Sequence, residues 1–499
     1  MALSSYVSLT ISIDWDINGA YTDESAYARR LTIERGRSDA NDEMAPGSGT
    51  LVLSNSTGRF SPFNTGSALY PYVLPGRPII ITADFNAVTY PVFAGFATPT
   101  FPTRSIDSEI TLNLIDQFDK WSKPPLTNTD LSTDVLNSDL MIEILDDIGF
   151  SAITRSIDTS ENALAYWTNH NRLPLNGLRL LAHENLGGHV FMKSNGYFRF
   201  ENAVWRSSQP LHATLSGTFD DIAPEIRFDD LVDRVRVTYP RFTVTGTLQA
   251  AYTLNPTGKA LPPGLTTFAV DFAGLGVTGA LSPVATTDYT ANSAADGTGT
   301  DKTAQVTVSA FTADGGGATI TLNNLDSSPV YLDYFQVRAS IVQRGNEDVE
   351  INASTIAPLV SNVKAEYEYD FQIDGDDLQG FAEYEAERLG HLTARTVCTI
   401  TPDTNALMVA VLNAEISKRV KIVDTGAAWL TQINADFFIE HIKLDFDATQ
   451  QNKVTCEWLL FDDWLGEGNG FVINDDVATD WPDSVIVDDA VTVGKVIFK

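Results

Sequence analysis

Residues 9–96 constrain this chain more than any other stretch. The segments LTISIDWDINGAY, LTIERGR, GSGTLVLSNSTGRFSPFNT, LPGRPIII and YPVFAGF follow one another as short strands and tight turns. VSLTISIDW alternates apolar and polar residues at period two, the signature of a strand with one face buried. Asn18-Gly19 is a strong hairpin-turn signal, because both residues tolerate the positive φ that tight hairpins need. GTLVLSN, RPIIITADF, YPVFAGFA and SEITLNLID continue the pattern, and Pro71, Pro75 and Pro78 mark loops or edges. A small β-barrel or sandwich is the expected architecture of residues 1–122.

Lys123-Pro124-Pro125 breaks this pattern. Leu136, Leu140, Ile144 and Ile148 then fall at helical spacing, with Gly149 placed to end the helix. A second helix is predicted from Leu175 to Asn185, with Leu178, Leu181 and Ala182 on one face and Gly187-Gly188 as its stop. HVFMKSNGYFRFENA reads as a hairpin turning at Asn195-Gly196. Residues 123–218 are therefore expected to be an α+β domain. A second β region with a helix is expected from 219–250 together with 341–465, the region in which the resemblance described below places a second barrel. Its helix, DLQGFAEYEAERLGHL, has Asp376 or Asp377 as candidate caps and Phe381, Tyr384, Ala386 and Leu389 as its apolar face. Residues 251–340, rich in Gly, Thr, Ala and Ser, read as an inserted β-sandwich. Residues 466–499 contain a rough repeat, Val472–Val477 against Ile486–Val491, and read as a C-terminal β appendix that docks on something. The fold class is thus mostly β with an α+β part, and 499 residues suit several cores.

The net charge is −32, from 65 acidic and 33 basic residues. That disfavours binding nucleic acid by phosphate neutralisation and docking on anionic membranes. It suits a surface past which DNA slides without sticking. No basic-then-apolar leader is evident at the N-terminus, and no apolar run is long enough to span a membrane. Cys398 and Cys456 lie far apart in strand-like segments. They read as buried free thiols, consistent with assembly in a reducing cytoplasm.

The motifs with possible chemistry are weak. Gly274-Leu-Gly276-Val-Thr-Gly279 matches G-x-G-x-x-G, but Pro283 and a β-like stretch follow where a dinucleotide site needs a helix. His183-Glu184 begins H-E-x-x-H, but position 187 is Gly, and His189 cannot share a helical face with His183. Asp14, Asp16 and Asn18 open like a calcium loop, with Gly19 sixth, yet the twelfth position is Ser25 and Glu24 is one residue early. A hairpin is the preferred reading there. No Walker A string, no G-x-S-x-G elbow and no Cys/His cluster is present, and no carboxylate pair stands out. No catalytic, metal or cofactor-binding residue is assigned, and no cofactor is expected. Trp15, Trp167 and Trp205 would be the sugar-stacking platforms if the chain were a carbohydrate-binding or depolymerising protein; core packing is the alternative.

In order and spacing, ISIDWDINGAYTD, LTIERGR, LSNSTGRFSPFNT, LYPYVLPGRPIII, YPVFAGF, LRLLAHENLGGHVFMKSNGYFRFE, DLVDRVRVTYPR, YFQVRA, FAEYEAERLGHL, VKIVD and FFIEHIKLDF resemble the baseplate-hub (tail-tip hub) proteins of long-tailed bacteriophages. The 251–340 insertion has no secure counterpart. The resemblance implies two related β-barrels per subunit, set side by side. Three subunits would then form a six-fold-like ring that continues the tail tube. A structural homotrimer of the virion tail tip is therefore expected, assembled in the host cytoplasm. Its neighbours would be the tail tube or distal tail protein on one side and tip, fibre or tape-measure proteins on the other. DNA would pass through an acidic lumen without specific binding. Some members carry a C-terminal peptidoglycan-cleaving domain; residues 466–499 are too few for one, so no lytic or other enzymatic role is expected. The alternatives are a hexameric distal tail protein and the carbohydrate-binding protein above.

Overall fold

The structure is a computed structural model. Between residues 3 and 462 it describes all but 4–5, 39–42, 101–107, 124, 127–131, 133–134, 161, 165–166, 170–171, 203–204, 207, 226–233, 255–257, 273–275, 345–348, 355–363, 371–374, 390–394, 425–432 and 451–452; beyond them it describes 486–487 and 496–497. The period-two stretches form strands with their apolar phase inward. In Ser8–Ile13, Leu9, Ile11 and Ile13 are buried; in Arg77–Phe85, Ile79, Ile81, Ala83 and Phe85 are buried.

The largest assembly is a 13-stranded sheet. Its main path runs Asp221–Glu225, Arg395–Ile400, Lys453–Asp462, Ile433–Asp447, Ala28–Gly36, Ala45–Ser54, Glu109–Ile115, Val88–Thr100, Arg77–Phe85, Ser8–Ile13 and Thr22–Asp23, with Arg419–Asp424 and Leu211–Ser216 branching from it. The N-terminal and C-terminal β regions thus belong to one sheet. The junction is the antiparallel pairing of Ala28–Gly36 with Ile433–Asp447, from His441 opposite Gly36 to Asp447 opposite Arg30. Two closed barrels were the expectation, but no sheet among the described residues closes. The physical reason is that strand Ala28–Gly36 gives one edge to Ala45–Ser54 and the other to Ile433–Asp447, which leaves no edge free for closure. One core runs beneath both regions, from Ile11, Leu51 and Phe93 to Ile422, Phe446 and Trp458.

A second core holds helices Asn137–Asp147 and Pro174–His183 and the hairpin His189–Met192/Phe198–Glu201. Leu140 and Ile144, Leu178 and Leu181 are fully buried there, and Gly149 and Gly187 have positive φ just beyond the helices they follow. Helix Gly375–Leu389 joins this same core through Leu378, Phe381, Ala382, Ala386 and Leu389. It packs on a three-stranded sheet of Arg234–Tyr239 between Val349–Ser354 and Lys364–Glu368. Segment 219–250 with 341–465 therefore supplies strands to the large sheet and a helix and small sheet to the α+β core. Asp376 and Asp377 lie within the first turn of the helix, which begins at Gly375. Asp374 lies outside the described residues.

The insertion has a core of its own. Strand Val330–Arg344 pairs along its length with Phe242–Val244, Gln249–Thr253, Lys259–Leu261, Gly276–Thr278 and Tyr289–Asn292. A second sheet, Gly264–Asp271, Gly317–Asn324 and Val306–Ala313, contributes Ile320 and Leu322 to the same core as Leu332, Phe335 and Val337. In the C-terminal segment, Ile486–Val487 pairs with Val496–Ile497; the rest of the 466–499 appendix lies outside the described residues.

Candidate functional site

The chemically richest place is the seam where the α+β unit meets the large sheet. Strand Ala28–Gly36 buries Leu31, Ile33 and Arg35 in one phase. Arg35 therefore enters the interior by the same alternation that buries its apolar neighbours. It ion-pairs with Glu415, whose other carboxylate oxygen accepts hydrogen bonds from the backbone N–H (2.9 Å) and hydroxyl (3.0 Å) of Ser194 in the α+β hairpin.

In the strand paired with Ala28–Gly36, a β-bulge falls between Ile439 and His441, at Glu440. Glu440 is 2% exposed. It accepts from the Arg37 Nε at 2.8 Å and ion-pairs with Arg206, which also lies over the Phe438 ring at 4.5 Å. The Glu440 carbonyl accepts the Arg37 N–H at 2.9 Å. Gly36, at φ +112°, permits this approach: a Cβ there would lie 2.8 Å from the His441 Cα and 2.9 Å from the Glu440 carbonyl carbon. On the α+β side, Arg199 forms a bidentate pair with Asp158 (2.7 and 2.8 Å), reaches Glu201 at 3.2 Å and stacks on Trp205 at 4.3 Å.

Charge balance sets the electrostatics. Burial opposes ionisation of Glu415 and Glu440, but the guanidiniums of Arg35, and of Arg206 and Arg37, outweigh it and hold both carboxyls below the usual range. Glu201 has less compensation, and burial pushes it up to about 7. Asp116 accepts from the N–H groups of Gly47 (2.5 Å) and Phe118 (2.9 Å), yet burial also pushes it up to about 7. The arrangement binds structural parts together, with each charge turned toward another charge of the chain.

The sequence motifs resolve individually. The Asp14 carboxylate is buried and accepts the N–H groups of Asn18 (3.2 Å) and Gly19 (2.9 Å), which staples the loop between Ser8–Ile13 and Thr22–Asp23. Asp16 accepts from the Asn18 amide at 2.7 Å. Glu24 is buried and holds Arg59 bidentately at 2.7 and 2.9 Å while accepting the Trp15 indole N–H at 3.1 Å. The candidate calcium ligands are thus committed to donors of the chain itself.

His183 stacks on Tyr369 and contacts the Glu368 carbonyl at 3.0 Å, whereas His189 accepts from Arg206, so the two histidines serve different contacts. Of the G-x-G-x-x-G string, Gly274 lies outside the described residues, and Gly276 opens a strand, Gly276–Thr278. Trp15 and Trp167 are core residues, with Trp167 donating to Asn169 at 2.8 Å. Trp205 is half-buried under Arg199. Cys398 and Cys456 are buried free thiols on adjacent strands, and burial pushes Cys398 up to about 12. Among the described residues, no group of three or more His, Cys, Asp and Glu is placed to hold a metal ion, and no helix is long and apolar enough to cross a membrane. The seam residues Arg35, Arg37, Arg206, Glu415 and Glu440 were not singled out in the sequence. The one available signal was the placement of Arg35 in the apolar phase of LTIERGR.

No protein-family model matches the chain, and no curated protein does. Solved structures do. A tail protein from Neisseria meningitidis MC58 matches with TM-score 0.50 and 10% identity, covering 94% of this chain and 100% of that one. The 43 kDa tail protein of prophage MuSo2 from Shewanella oneidensis matches with TM-score 0.47 and 10% identity, covering 91% and 97%. An E. coli type VI secretion component, described as structurally similar to the T4 bacteriophage tail proteins gp27 and gp5, matches with TM-score 0.38 and 9% identity, covering 91% and 76%. Of these three the first reaches 0.50, and the shared fold is taken from it. The chain therefore shares the fold of a tail protein, the broad class that its sequence resembles.

Proposed function

We propose that this chain is a structural tail protein, a homotrimeric hub with no enzymatic role that continues the tail tube at its tip. One observation carries the proposal: the N-terminal and C-terminal β regions of a single chain lie edge to edge in one sheet, joined at Ala28–Gly36 and Ile433–Asp447. Each subunit then supplies two neighbouring segments of tube wall, and three subunits supply six. The polar phase of that sheet suits a DNA path. Thr32, Thr50 and Thr111 lie there with Glu34, Asp445 and Glu457, and the lysine among them, Lys443, sits opposite Glu34 and Glu457 and pairs with Glu34 at 3.7 Å. The seam locks the α+β unit to this wall, so that load on one reaches the other.

Sedimentation equilibrium and electron microscopy test the reading. The expected result is a particle of three 54.4 kDa chains that forms a ring with a central hole. A stable monomer without rings would sink it, and a six-chain ring would favour the distal tail alternative.

A further inference from the structure

Four large apolar side chains stand in solvent between residues 63 and 74. Phe63 is 87% exposed, Leu74 47%, and Tyr70 and Tyr72 43% each. They belong to the long connection between strands Ala45–Ser54 and Arg77–Phe85. That connection has no helix or strand, yet it is built as a rigid support. Backbone N–H groups of Gly58, Ser61, Asn64, Ser67 and Tyr70 each bond the carbonyl three residues earlier, at 2.9–3.2 Å. Phe60, Leu69 and Val73 anchor it in the core, with Phe60 against Trp15 and Tyr27. Arg59 is clamped to Glu24, and Arg77 donates to the Tyr72 carbonyl at 2.9 Å. Rigid aromatic groups already held in place lose little freedom on binding and are the usual anchors of protein interfaces.

The charge pattern favours a second copy as the partner. From Met44 to Ala83 the chain has no Asp or Glu, although acidic residues number 65 of 499. The two arginines of the stretch are turned inward to Glu24 and Tyr72, so the exposed face is neutral and aromatic. Copies of a chain with net charge −32 repel one another, and they approach most readily where one of the two facing surfaces carries no carboxylate.

We propose that Phe63, Tyr70, Tyr72 and Leu74, exposed on this one connection, together make the surface by which one copy of the chain seats on a second copy. The contact is head-to-tail, with this face meeting a different surface of the neighbour, as ring closure requires. The inference rests on the trimeric reading and adds the location of its interface. The test is sedimentation equilibrium of the full chain against Phe63→Asp and Leu74→Asp over a broad concentration range. Phe63 projects from the fold, so its variant should match wild type in circular dichroism and melting; Leu74 is half-buried, so Leu74→Asp is read only if circular dichroism shows it folded. The expected result is that each variant needs a concentration at least about thirty-fold higher for half-assembly, the effect of losing one interface anchor. If either folded variant assembles at the wild-type concentration, the assignment of this face is overturned while the trimer stands. A monomeric wild type would overturn both.

Discussion

Replacing Gly36 by Ala adds one methyl group and attacks the seam at its closest point. Gly36 lies opposite His441 in the pairing that unites the two β regions. The new Cβ would lie 2.8 Å from the His441 Cα, 2.9 Å from the Glu440 carbonyl carbon, and nearer still to the Glu440 oxygen. All three are backbone atoms of a strand fixed on both sides, so no side chain can swing away. The φ of +112° adds strain for any L-residue of about 1–3 kcal/mol. Forcing apart a packed contact adds roughly 1–3 kcal/mol more. Relief by widening the strands would break the Arg37 N–H to Glu440 carbonyl bond and loosen the Arg37–Glu440–Arg206 cluster. A loss of about 2–6 kcal/mol is expected, or a fall in Tm of at least about 4 °C at the 2–4 °C per kcal/mol of a mid-sized domain. Gly19→Ala is the control: φ is +86°, but nothing lies within 4 Å of its added Cβ, so only conformational strain applies. Differential scanning calorimetry of both variants separates contact from strain. Equal Tm shifts for Gly36→Ala and Gly19→Ala would refute the claim that close approach at Glu440 makes glycine necessary.

Two further outcomes follow from the buried charges. Glu440→Ala leaves Arg37 and Arg206 buried without their shared carboxylate and should destabilise by about 3–5 kcal/mol; a denaturant midpoint unchanged from wild type would show the cluster to be energetically idle. Glu201 and Asp116, raised to about 7, bind protons more tightly folded than unfolded. Their contribution is therefore fullest below the unfolded carboxyl range and is lost as pH rises from about 4.5 to about 7. Glu415 and Glu440, held low, act in the opposite sense, and their stabilisation is lost as pH falls below about 4.5. Denaturation at a series of pH values should show Glu201→Gln flattening the decline between about 4.5 and 7; an identical slope in the variant would contradict the assignment.

Much of the local structure was legible because it depends on neighbours in sequence. The alternation in SLTISI and RPIIITADF places the apolar phase inward whatever the sheet around it. The Leu140/Ile144 and Leu178/Leu181 spacings specify helices, and the glycines after them specify their ends. That the chain turns back near Asn18-Gly19 was legible, but not as a tight two-residue turn: the loop runs from 14 to 21, Ile17 and Gly19 take the positive φ, and the Asp14 carboxylate closes it. The apolar face of helix Gly375–Leu389 was visible, but not the core it enters, because any apolar surface would satisfy it.

The sequence by itself determined where many of the strands run and which of their faces point inward. Only the tertiary structure decided that strand Ala28–Gly36 pairs with Ile433–Asp447 instead of closing a barrel, and that Arg37 meets Glu440, 403 residues away. Period-two alternation fixes the direction of a side chain but not the identity of the strand alongside, since any backbone edge offers the same hydrogen bonds. Packing and charge matching select the partner: the bulge that turns Glu440 inward, the glycine that admits its carbonyl, and two arginines that neutralise its carboxylate are brought together only when the whole chain is folded.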